Sequence, residues 1–403
     1  MQGSVKTMPS RSQPRSAGPR TRHGAAAVLG VLLLVLFVLL TVLVVTWTYL
    51  STAHQRLQNM CSIMALAAAP ELLDQNLLID AFGPPLPNQA AGRQAAVVAA
   101  QAFRGRNNAI VTEVEQVDAA DVIVQTGYIN DVTNALCALD PQPLEHNTVF
   151  VGGLQTSTGG HPVRWPMDSL NKTPGVQIRG GAFATLDNLV IGFRPEPELA
   201  APVMPLAIDA AAWASQRTTD SNGNGIREMV LLLQAGSPSD DPSSSPASAN
   251  AALLAYGGNG DSQAIARLGV QVARGLLPAD LLLGQVGPAT VAAPWPVLAL
   301  QPADASDAST AALLSALQAA VGQKRVFPIF QQLTQQNDGT TTAQIEGFVA
   351  CVLLGAWLAD NRLAIAVEPC FLIHHTAWTA PPNPLDPANP PRNLYIYKLR
   401  LSR

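Results

Sequence analysis

The hydropathy pattern begins with one long apolar run. Residues 24–53 contain no formal charge and are mostly Leu, Val and Ala. About 20 apolar residues cross a bilayer core as a helix, so the run is long enough with some tilt. A signal peptide's apolar core is about half this length. Five basic side chains (Lys6, Arg11, Arg15, Arg20 and Arg22) precede it without an acidic one. That asymmetry predicts a cytoplasmic N-terminus, with everything after the helix on the other side. Trp47 and Tyr49 stand near its outer end, where amphipathic rings suit the headgroup region. The pattern then changes without a break. Leu57, Met60, Cys61, Met64, Ala67 and Ala68 recur at three- and four-residue spacing, with Arg56, Gln58 and Asn59 between them. This predicts one helix leaving the membrane as an amphipathic stalk and ending near Pro70.

Beyond the stalk, residues 81–92 read as a linker and 94–104 as a helix with Val97, Val98 and Phe103 on its apolar positions. Residues 110–117, 121–127, 148–151 and 229–233 read as strands. Residues 262–274 read as a helix with Asp261 or Ser262 as cap and Gly275 beyond its end. Residues 310–321 form another, capped near Asp307 or Ser309 and closed by Gly322. The last hundred residues alternate as strands at 325–330, 343–357, 362–373 and 394–401. Turns at Asn337-Asp-Gly339 and Asp360-Asn361 and a Pro-rich stretch at 379–391 separate them, which suggests an antiparallel meander. Between the halves, residues 237–248 are Ser- and Pro-rich. The expected class is α+β. The divisions are a basic tail (1–23), a transmembrane helix (24–50), a helical stalk (51–70), a first α+β region (71–236), a linker (237–249) and a second α+β region (250–403) with a β-rich C-terminal part.

Charge narrows the partners. Of 24 basic residues five lie in the tail, leaving 19 against 28 acidic ones, a net charge of about −9 outside the membrane. Nucleic acid is an unsuitable partner for such a surface, since phosphate binding needs clustered Lys and Arg. Four cysteines (Cys61, Cys137, Cys351 and Cys370) form no CxxC. Cys351 and Cys370 fall in neighbouring apolar segments, where a disulfide and two buried thiols are both open readings.

Candidate chemistry is local. Asp220-Ser-Asn-Gly-Asn-Gly-Ile-Arg-Glu228 begins like an oxygen-rich calcium loop, with Asp220, Asn222 and Asn224 at alternate positions before a turn-forming Gly. The twelfth position, where a bidentate Glu belongs, is Leu231, so Glu228 stands in as the remaining donor. The other reading is a tight Asx-type turn into the next strand. Asp241-Pro-Ser-Ser-Ser245 matches D-x-S-x-S, but its prolines and serine-rich setting make the match an accident of composition. Tyr256-Gly-Gly-Asn-Gly-Asp261 lacks the Lys-Ser/Thr of a phosphate loop and reads as a turn before a helix. His374 and His375, if on a strand, point to opposite faces, so a surface or edge position suits them better than a shared metal. No G-x-S-x-G, H-E-x-x-H or S-x-x-K signature is present, and a dispersed triad through His146 or His161 leaves no sequence trace.

Several blocks carry a family resemblance. Arg22-His-Gly-Ala-Ala-Ala-Val28, the apolar run, Arg56-Leu-Gln-Asn59 and Met64-Ala-Leu-Ala-Ala-Ala69 resemble the N-terminal region of Flp pilus-assembly TadG-like proteins, with Ser62 or its neighbour where that family has an acidic residue. Gly192-Phe-Arg-Pro195, Pro202-Val-Met-Pro-Leu-Ala-Ile208, Val321-Gly-Gln-Lys-Arg-Val-Phe-Pro-Ile-Phe330 and Ile345-Glu-Gly-Phe348 resemble later portions of its larger members. The resemblance implies a non-catalytic, single-pass bacterial inner-membrane protein whose partners are pilus or secretion-system proteins. It implies no cofactor; calcium enters only through the Asp220 loop. A membrane-tethered extracytoplasmic binding module, stabilised by calcium, is the alternative expectation. Nothing in the pattern fixes the oligomeric state.

Overall fold

The computed structural model describes residues 22–74, 76–79, 90–110, 121–129, 139–141, 146–155, 176–233, 249–256, 262–281, 295–298, 308–335, 341–359, 362–380 and 393–402. The chain is mixed α+β, with an apolar N-terminal helix and a β-rich C-terminal part. The tail, the 81–89 stretch, residues 111–117, Cys137, His161, the 237–248 segment, residues 257–261 and the Pro-rich 381–391 lie outside the described residues.

Helix α1 (Arg22–Ala68) is unbroken and ends in a 3-10 turn, Ala69–Leu72, with Pro70 inside it. Its 47 residues extend about 70 Å at 1.5 Å per residue. It is the one helix among the described residues long and apolar enough to cross a membrane, with a window of mean hydropathy 3.4 that is entirely unburied. Side chains from Val28 to Trp47 touch little; Phe37 is 70% and Trp47 75% exposed. Thr41, Thr48 and Thr52 donate their hydroxyls to the carbonyls of Phe37, Val44 and Thr48 at 2.8–2.9 Å. Their polar atoms are therefore satisfied within the helix, as a hydrocarbon surrounding requires.

From Leu57 onward one face of the same helix is buried. It lies on a five-stranded sheet of order β1 (Val122–Gly127), β2 (Thr148–Gln155), β3 (Ile178–Asp187), β14 (Ile396–Ser402), β12 (Leu372–Ile373). Leu57, Cys61, Met64, Ala65 and Ala68 meet Val149, Val151, Ala182, Ala184 and Leu186, which alternate along β2 and β3 as inward-facing positions must. Helix α2 (Ala90–Ile110) completes this core with Ala96 and Ala100, one turn apart. The helix expected at 94–104 is longer than its periodicity suggested, and Ile110, expected to open a strand, ends it.

The remaining strands form a seven-stranded sheet: β6 (Met229–Leu232), β11 (Arg362–Pro369), β10 (Thr341–Ala359), β8 (Trp295–Leu298), β7 (Ala251–Leu254), β5 (Leu206–Asp209), β9 (Lys324–Gln335). The 19-residue β10 pairs with β9 along one edge, and with β8 and then β11 along the other. Because β8 continues through β7 and β5 back to β9, five strands close into a small barrel. Strands β6 and β7, which flank the Ser/Pro-rich stretch, belong to this one sheet. Strands β9, β10 and β11 form the expected antiparallel meander, while β14 leaves it for the first sheet. The barrel core holds Leu206, Ile208, Leu253, Phe327, Val349 and Ile365. Helix α3 (Ala210–Ser215) follows β5 and is capped by Asp209, whose Oδ1 accepts the Ala212 N–H at 2.8 Å. Helices α4 (Ser262–Arg274) and α5 (Ala308–Ala319) bury Leu268, Val272, Leu313 and Leu317 on the barrel.

Side-chain hydrogen bonds tie the start of β14 to the barrel. Asn393 donates its side-chain amide to the Phe348 carbonyl of β10 at 2.8 Å, while its Oδ1 accepts the N–H groups of Tyr395 and Ile396 at 2.9 Å. Arg217 lies over the Trp213 ring at 4.3 Å and donates to the Tyr395 hydroxyl at 3.2 Å.

Candidate functional site

The most specific contact in the molecule is where α1 crosses the first sheet. Gly153 and Gly180 sit opposite one another in the β2–β3 register. A Cβ on Gly153 would stand 2.7 Å from Leu57 Cδ1 and 3.0 Å from Cys61 Sγ; on Gly180 it would stand 3.1 Å from Leu57 Cγ. Two glycines thus make a floor on which the helix settles. Beside it, Gln58 Nε2 donates to the Gly181 carbonyl at 2.6 Å, and the Gly181 N–H donates to Gln58 Oε1 at 3.1 Å. Strand β14 pairs with β3 only from Phe183 to Asp187, so Gly181 lies past its end. The glutamine amide has the donor and acceptor of a peptide unit and meets both backbone groups of Gly181 as a strand residue would. Ser62, buried, returns its hydroxyl to the Gln58 carbonyl at 2.8 Å. The apolar spacing of α1 foretells its buried face, but only the fold reveals what Gln58 does.

The second candidate is the Asp220–Glu228 loop. Thr219 and Glu228 pair at its base, and Gly223 and Gly225 hold φ of 73° and 83°, a conformation that suits glycine. Asp220 Oδ1 accepts the N–H groups of Gly223 and Asn224 at 2.8 and 3.2 Å, and Oδ2 that of Gly225 at 2.9 Å. Glu228, buried, turns to Ser221, accepting from its N–H at 3.0 Å and its hydroxyl at 2.6 Å. Asn222 and Asn224 reach a carboxylate absent from the local motif. Their amides donate to Glu368 of β11, Asn222 at 2.6 Å and Asn224 to both oxygens at 3.1 Å. The loop therefore brings Asn222 and Asn224 together on Glu368, with Asp220 and Glu228 engaged at backbone groups and Ser221. Among the described residues no three His, Cys, Asp or Glu side chains converge as a metal site.

Other sequence candidates have structural surroundings. Cys61, Cys351 and Cys370 are free and buried. Cys351 stands opposite Pro369, and the Cys370 N–H bonds to the Ala350 carbonyl at 2.9 Å just past the end of β11. Burial pushes the Cys61 thiol up to about 11 and Cys370 up to about 12, which removes thiolate reactivity. His146 is buried, with Nδ1 3.0 Å from Thr126 Oγ1 and Nε2 3.5 Å from Arg93 Nη1. The opposite faces expected of His374 and His375 do not form, while His375 is exposed. Strand β12 ends at Ile373, the two residues enter a turn, and their rings stack at 4.7 Å rather than pointing apart. No protein-family model, curated protein or solved structure matches this chain.

Proposed function

We propose that this is a non-catalytic, single-pass membrane protein of a Flp/Tad-type pilus or secretion assembly, in the bacterial inner membrane, with its N-terminus cytoplasmic and residues from the stalk onward extracytoplasmic. One observation carries the reading. Helix α1 is continuous from a bare apolar half into a half that is core to the first sheet. A domain joined in this way has a fixed attitude to the membrane, which suits a component positioned against neighbours in an apparatus. A receptor or enzyme that needs only tethering has no use for such rigidity. The family resemblance of the Arg22–Asn59 region supplies the apparatus; the geometry supplies the role of rigid support.

The test has two arms. Deleting the gene is expected to abolish or thin surface pili, and unchanged piliation would sink the assembly role. Complementing with a chain carrying a flexible Gly-Ser insert between Ser51 and Thr52, beyond the span, is expected to fail although the protein still reaches the membrane. Full complementation by that chain would favour a tethered module instead.

A calcium-stabilised binding module is the second reading, favoured by Glu368. Its two oxygens accept from the Asn222 and Asn224 amides, which brings a carboxylate from another strand beside the loop. Calcium would then raise the melting temperature of the barrel in the full chain, and Asp220→Ala would remove the increment. Identical melts in calcium and in chelator would exclude it.

A further inference from the structure

The turn after β12 lies between the two cores. Ile373 packs on the sheet core, while Phe371 and Leu372 pack on the barrel core. Strand β12 runs parallel to the start of β14, and the His374 N–H donates to the Tyr397 carbonyl at 3.0 Å. Three residues on, β13 (Ala377–Thr379) pairs with β4 (Val190–Phe193). Thr376 holds the turn closed. It is 2% exposed, its carbonyl accepts the Arg194 N–H at 2.8 Å, and its hydroxyl and N–H lie 2.7 and 3.3 Å from His374 Nδ1. Because the Thr376 N–H donates to Nδ1, that nitrogen carries a lone pair and His374 is neutral.

The surroundings oppose a proton there. His375 stacks on the ring at 4.7 Å, with 29° between the planes. From neighbouring elements, Lys324 of β9 reaches the Phe371 carbonyl at 3.1 Å, Arg194 follows β4, and Lys398 of β14 follows Tyr397, with the carboxylates of Asp187 and Glu196 near Lys398. Burial, followed by the charge of His375, pushes His374 down to about 4.

We propose that the His374–Thr376 turn is an acid-sensitive joint between the helix-bound sheet and the barrel. A proton from solvent on His374 Nδ1 takes the lone pair that Thr376 donates to and sets a cation against the second imidazole. The turn opens, β12 and β13 lose their shared anchor, and the barrel gains freedom relative to α1. The sign follows from the depressed value: the neutral ring's contribution is complete above the ordinary 6.5 and is lost as pH falls through about 4.

Hydrogen exchange on the full chain in lipid nanodiscs tests this, with rates corrected for intrinsic pH dependence. Protection of peptides covering 371–379 and 190–196 is expected to fall by up to about tenfold per pH unit between the two values, as one linked proton allows. The barrel peptides 343–353 stay protected. His374→Asn offers an acceptor that does not titrate, so its protection persists into acid. His375→Gln removes the repelling charge and moves the midpoint to lower proton demand, that is, to higher pH. Equal loss of protection in wild type and His374→Asn would overturn the proposal, as would full protection of 371–379 in wild type at pH 4. Should His374→Asn lose protection already at neutral pH, an unshifted midpoint in His375→Gln overturns it as well.

Discussion

The two halves of this molecule reach closure by different means. The barrel closes on itself: β10 lends one edge to β9 and the other to β8 and β11, and its core draws on residues between Leu78 and Ile396. The first sheet does not. Its inner face is covered by α1 and α2, and its β3 edge is finished by Gln58 where β14 runs out. A barrel removes its own edges, whereas an open sheet must have its edges and faces covered by something else. Here the covering element is the continuation of the one helix, among the described residues, that is long and apolar enough to cross a membrane.

The sharpest way to break the comparison is a pair of core changes, one per half. Phe327→Ala empties a fully buried position of the barrel and is expected to cost about 3–5 kcal/mol. Gly153→Val drives a side chain into Leu57 and Cys61 and is expected to cost about 1–3 kcal/mol, with α1 lifted from the sheet. Hydrogen exchange should place the first loss in 326–367 and the second in 149–186. If both changes weaken both regions equally, the halves are a single cooperative unit and the contrast fails.

Gln58→Ala comes next. It strands the Gly181 N–H and carbonyl beside the helix, for an expected loss of about 1–3 kcal/mol confined to the sheet half. An unchanged melt would mean that water replaces the amide. The smallest effect is expected from Asp220→Ala, in an exposed loop: faster exchange of the Gly223 and Gly225 amides and a shift of about 4 °C or less in the barrel melt. A loss that reached the sheet half would show that the loop serves more than the barrel.

Much of the fold could be read in sequence because its signals are local. The 262–274 helix has its periodicity and its closing Gly275 within a few residues, and it forms with those bounds. The strands of the C-terminal meander alternate as expected, although β10 is longer than 343–357 and β14 belongs elsewhere. For the loop, Asp220, Asn222, Asn224 and the two glycines announce a tight, oxygen-rich turn. Glu368 was invisible, because 140 residues separate it from the motif and nothing in VEPC marks its glutamate as a partner for Asn224. His374 and His375 misled for a related reason. A strand's two-residue alternation applies only while the strand lasts, and β12 is two residues long.

By itself the sequence determined that a helix long enough for a bilayer stands near the N-terminus, and which face of its continuation is apolar. Those properties are sums over neighbouring residues, and hydropathy and period record them directly. Only the tertiary structure decided that this face lands on Gly153 and Gly180, that Gln58 completes β3 at Gly181, and that β14 returns to join the sheet beneath the helix. Each of those contacts ends on backbone or on a glycine, which carries no mark of its partner, so nothing local in the sequence announces the pairing.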